Sequence, residues 1–74
     1  MAGAPIFKVY IAGHYVAATK TPEDAAMILS GNGAGEIRVG HAKSQVAWTY
    51  SGAENMPSYD KIAVIVYRFI EENQ

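Results

Sequence analysis

The residues whose types and spacing suit chemistry are cations and aromatic rings on short alternating segments. Lys8 and Tyr10 occupy successive same-side positions of one such segment, Arg38 lies on another, and His41 and Lys43 follow it in the Gly40–Gln45 connection. Guanidinium and ammonium groups are the natural partners of phosphate oxygens, and an imidazole in a loop adds a donor. A tyrosine ring, Tyr10 or Tyr50, supplies a flat face on which a base stacks. The predicted ligand-binding set is therefore Lys8, Tyr10, Arg38, His41, Lys43 and Tyr50, and the ligand it fits is small, anionic and base-containing.

Other chemistries fit these residues less well. His14 and His41 amount to half a metal site, but neither has a carboxylate or histidine at ligand spacing, so no metal is expected. The run Gly31-Asn32-Gly33-Ala34-Gly35 follows a helix and precedes a strand, the reverse of the order that aims helix N-terminal amides at phosphate. Helix termination and a tight return to the sheet explain it with less. Ser44, Ser51 and Ser58 lack a Gly-x-Ser-x-Gly context, and Glu23, Asp24, Glu71 and Glu72 sit at helix ends. No catalytic residue, cofactor or enzymatic activity is expected.

The elements that must position these residues are legible in the hydrophobic spacing. Ile6–Ile11 alternates as a strand, Ala12-Gly13-His14 turns the chain, and Tyr15–Lys20 returns it as a hairpin. Thr21-Pro22-Glu23-Asp24 is a helix start, with a capping hydroxyl, a proline in the first turn and acids at the positive dipole end. The glycines from Gly31 end that helix. Glu36–Val39 and Val46–Tyr50 predict a second hairpin. Ser58 caps a final helix over Tyr59–Glu72, where Ile62, Ile65, Val66, Phe69 and Ile70 form an apolar stripe at helical spacing. The β-branched density of Ile62–Tyr67 also admits a strand, but length and the stripe favour helix. Gly-His follows the first strand of each hairpin, at Gly13-His14 and Gly40-His41, and Val-Ala lies in each second strand, at Val16-Ala17 and Val46-Ala47. This repeat predicts an α+β fold, ββα twice over, with a four-stranded antiparallel sheet and both helices on one face. By period-two counting, Phe7, Val9, Ile11, Ile37, Val39, Val46, Trp48 and Tyr50 face the helices. The other face then carries Lys8, Tyr10, Ala17, Thr19, Arg38, Ala47 and Thr49.

Seventy-four residues at 50% hydrophobic composition, with a net charge of −1, make a single small α+β domain over residues 1–74. Six Lys+Arg against seven Asp+Glu give no field for duplex nucleic acid. The absence of cysteine leaves stability to packing and fits a reducing compartment. Met1–Pro5 has neither a basic start nor a long apolar stretch, and the longest apolar run, Ile62–Tyr67, falls far short of the roughly 20 residues that cross a bilayer. A cytoplasmic location without membrane contact is expected. A chain this short buries only ~60% of its unfolded surface. The last helix widens its apolar arc through Ala63, Val64 and Tyr67. With Tyr59 beside the Ser51–Ser58 loop, these residues make a candidate interface for a homo-oligomer.

The segments Lys8–Ala17, Glu23–Ala26, Arg38–His41 and Val46–Thr49 resemble small proteins encoded by bacteriophages and mobile elements. That resemblance implies a class of roles: inhibiting a host enzyme by docking on it, or sequestering a nucleotide messenger of antiviral signalling in the host cytoplasm. The expected function is accordingly a non-enzymatic, homo-oligomeric protein that binds a nucleotide-like anion. Its alternatives are a protein-docking inhibitor of a host enzyme and a single-stranded nucleic-acid binder whose affinity falls with salt.

Overall fold

In the computed structural model, which describes residues 6–40, 45–53 and 55–73, the chain runs β1 (Phe7–Ile11), β2 (His14–Thr19), α1 (Pro22–Asn32), β3 (Gly35–Val39), β4 (Gln45–Tyr50) and α2 (Tyr59–Glu72). The four strands form one antiparallel sheet in the order β2-β1-β3-β4, so the first strand of each hairpin lies in the centre and the second at an edge. This is the α+β, twice-ββα arrangement that the spacing predicts.

Local chemistry sets each boundary. Ala12 and Gly13 carry φ of 52° and 80° between the paired residues Ile11 and His14, the signature of a two-residue hairpin turn of the I′ kind. The Thr21 hydroxyl accepts from the Asp24 amide, and Pro22 stands in the first turn of α1. Ser58 caps α2 the same way, accepting from the Lys61 amide. The Gly31–Gly35 run ends α1 as expected, though not at its first glycine. The helix runs on through Asn32, whose side-chain amide donates to the Ile28 carbonyl, and stops at Gly33, where φ is 84°. Gly35 serves another purpose: a Cβ there would lie 2.5 Å from the Tyr10 carbonyl oxygen and 2.7 Å from Leu29 Cδ1.

The core lies between sheet and helices. Phe7, Val9, Ile37 and Val39 meet Ala25, Ala26 and Leu29 of α1 and Ile62 and Val66 of α2. Ser30 near the end of α1 hydrogen-bonds Tyr59 at the start of α2, 2.9 Å between hydroxyls, so the C-terminal end of one helix meets the N-terminal end of the other. Ile65, expected in the core stripe, is 42% exposed. The α2 face that meets the sheet is centred on Ile62 and Val66, with Ala63 turned inward and Ile65 left on the flank.

Each edge strand carries one bulge. In β2 the register slips where Val9 pairs with Ala17 and Tyr10 with Tyr15, leaving Val16 unmatched; in β4 it slips where Ile37 pairs with Trp48 and Arg38 with Val46, leaving Ala47 unmatched. The slips fall at corresponding steps of the two central strands. Each lies on a Val-Ala step, but the matching residues are Val16 and Ala47, so the sequence repeat runs one residue out of register with the structural one. Bulging both edges also twists them away from the flat ladder that another chain would extend.

Candidate functional site

The ladder pairings lay out the sheet face away from the helices as two rows. One row, crossing from β2 to β4, is Tyr15, Tyr10, Glu36 and Thr49; the other is Ala18, Lys8, Arg38 and Val46. Lys8 and Arg38 are thus direct cross-strand neighbours at the centre of the sheet. Like charges so placed repel one another, and the Glu36 carboxylate beside them offsets part of that repulsion.

Arg38 is held on two sides. Its Nε donates to Oε2 of Glu36, two residues back on the same strand, and its guanidinium carbon lies 4.2 Å from the centroid of the Tyr10 ring. Tyr15 meets Tyr10 edge to face, with centroids 5.8 Å apart, and is 58% exposed. The result is a contiguous arrangement of Tyr15, Tyr10 and Arg38, with Lys8 alongside. Chemically it offers the exposed Tyr15 ring, set at 66° to the Tyr10 ring that Arg38 covers, as a stacking face, with guanidinium and ammonium donors for an anion.

Of the predicted ligand-binding set, the structure brings Lys8, Tyr10 and Arg38 together. His41 and Lys43 lie outside the described residues. Tyr50 does not join them: it pairs with Gly35 on the helix side of the sheet, stacks on Trp48 with centroids 6.0 Å apart and planes 6° from parallel, and packs against the core.

The bulges account for the other displaced residues. Beyond Val16 the parity of β2 reverses, so Ala17 and Thr19 share the side of their partners Val9 and Phe7, and the Thr19 hydroxyl donates to the Thr21 carbonyl. Ala47 packs against the core, and Val46 moves to the open face opposite Arg38. Sequence reasoning missed two members of the site, Tyr15 and Glu36. Alternation alone places Tyr15 on the side of Tyr10, and Glu36 is recognisable as an acid at i−2 from Arg38 on one strand face.

The predicted interface set also separates. Ala63 is buried at 4% exposure within its own chain and is not available to a partner. Tyr59 is half-buried and bonded to Ser30. Val64 and Tyr67 are exposed, although Tyr67 also meets Phe7 in a T-shaped contact, and Ile65 of α2 and Met27 of α1 add two further exposed apolar side chains to the helix layer. Among the described residues, no three His, Cys, Asp or Glu side chains gather as a metal site, and no helix is long and apolar enough to cross a membrane.

Comparison of the chain with protein families, curated proteins and solved structures finds no match.

Proposed function

We propose that this chain is a non-enzymatic binding protein that takes a small, phosphate-bearing planar ligand of the nucleotide class on the open face of its sheet. The supporting observation is the direct pairing of Lys8 with Arg38 beside the Tyr10 and Tyr15 rings. Directly paired residues of an antiparallel ladder have Cα atoms only about 4.5–5.5 Å apart, so both cations reach one phosphate. The base then stacks on the guanidinium or on Tyr15, as bases do on sheet platforms. Size points the same way. Four strands spaced at ~4.8 Å and two side-chain rows give a face of roughly 250 Å² in projection, ample for a nucleotide. A stable protein interface needs about 800 Å² from each partner. Sequestration of a nucleotide messenger, as the resemblance to phage-encoded proteins implies, requires nothing beyond such binding.

Self-association belongs to the proposal through the helix layer, where Met27, Val64 and Tyr67 are 55%, 53% and 44% exposed. The same side chains favour, as a second reading, docking on a foreign protein. A paired experiment tests both parts: thermal unfolding with a panel of mono-, cyclic and dinucleotides, and mass in solution, for wild type, Arg38→Ala and Val64→Glu. Ligand at 100 times its Kd stabilises by about 2.7 kcal/mol. Arg38→Ala is expected to abolish that shift and keep the assembly, and Val64→Glu to dissociate the assembly. A wild type that responds to no nucleotide contradicts the proposal, and a strict monomer transfers the helix-layer patch to the docking reading.

A further inference from the structure

Arg38 is not presented bare to a ligand. One flat side of its guanidinium lies against Tyr10, and its Nε edge is held by the Glu36 carboxylate, with both side chains of the ion pair half-buried at 29% and 23% exposure. Glu36 stands in the row opposite Tyr10, while Lys8 stands opposite Arg38 itself. A carboxylate and a phosphate therefore draw on the charge of the same guanidinium. We infer that Glu36 is an internal competitor of the anion site, a built-in counter-ion that an incoming phosphate must displace or outbid, and that it thereby holds down the site's affinity for phosphate-bearing ligands while leaving uncharged ones unaffected. This inference rests on the open face being a phosphate-binding surface.

The direction follows from charge. The Glu36 carboxylate takes up part of the cationic field that a phosphate needs and repels the phosphate itself, so its presence costs a dianion at least as much as a monoanion and costs a neutral ligand nothing. The intramolecular pair is partly solvated, which keeps its strength low enough to be exchanged.

Titration calorimetry with AMP, cyclic AMP and adenosine separates the possibilities, because the three share a base and carry a dianionic, a monoanionic and no phosphate. The wild type is expected to bind AMP more tightly than cyclic AMP. Glu36→Gln keeps the side-chain shape and removes the charge; it is expected to tighten AMP up to about fivefold, the upper range for a partly exposed ion pair. Cyclic AMP is expected to tighten by no more than AMP does, while adenosine is unchanged. Equal or weaker AMP binding by Glu36→Gln, with measurable wild-type binding, overturns the inference, since a carboxylate that merely positions Arg38 gives that result. Failure of both proteins to bind AMP overturns instead the reading of the face as a nucleotide site.

Discussion

At the scale of single residues, the candidate site depends on how closely β3 can approach β1, and Gly35 controls that approach. Tyr10, whose ring supports Arg38, has its carbonyl oxygen 2.5 Å from where a Gly35 Cβ would stand, and the Ile11 and Leu29 side chains close the same space at 2.6 and 2.7 Å. A methyl group there must push a backbone carbonyl and two packed side chains at once. Gly35→Ala is therefore expected to destabilise the fold by about 1–3 kcal/mol, the usual range for overpacking. Urea denaturation checks this: an unchanged midpoint would mean that β3 can move away from β1 at no cost. Ala12 is strained in the opposite sense, by conformation and not by space. Its φ of 52° is a left-handed value that costs an L-residue roughly 1–2 kcal/mol, and asparagine tolerates it better. Ala12→Asn, giving the Asn-Gly pair that I′ turns prefer, is expected to stabilise by about 0.5–1 kcal/mol in the same assay.

At the scale of elements, most boundaries are legible because they are set by local chemistry. Thr21 and Ser58 cap α1 and α2, and the helical stripe outweighs the β-branched run in Ile62–Tyr67. What alternation cannot reveal is a bulge. One unmatched residue reverses the facing of everything beyond it, so two slips turn Ala17, Thr19 and Ala47 away from the face to which period-two counting assigns them, and Val46 onto it. No residue type marks either slip in advance, since Val16 and Ala47 are ordinary strand residues. The central strands have no slip between them, which is why Lys8, Tyr10 and Arg38 are readable as neighbours from sequence. Tyr50 leaves the ligand set for another reason: the counting that places it on the helix side is right, and its pairing with Gly35 and its packing against the core keep its ring away from Lys8 and Arg38. In α2, spacing identifies the apolar arc but not its centre. The buried face runs through Ile62, Ala63 and Val66 and leaves Ile65 outside.

At the scale of the whole molecule, the accessible surface of 4794 Å² is within a tenth of the roughly 4,500 Å² that a folded monomer of this mass exposes. The case for a partner therefore rests on particular side chains, not on a general deficit of burial. Those side chains fall on two opposite surfaces. Met27, Val64 and Tyr67 belong to the helix layer, and Tyr10, Tyr15, Lys8 and Arg38 to the open sheet face. Separation by the thickness of the molecule keeps the two proposed activities, assembly and ligand binding, from sharing side chains, which makes their variants separable. The most direct test of the sheet-face site is to titrate AMP into isotope-labelled protein and map the amide shifts by residue. Saturable changes are expected at Lys8, Tyr10, Tyr15, Glu36 and Arg38, with Trp48, Tyr50 and the helix layer little affected. Shifts confined to the helices, or none at millimolar AMP, would contradict it.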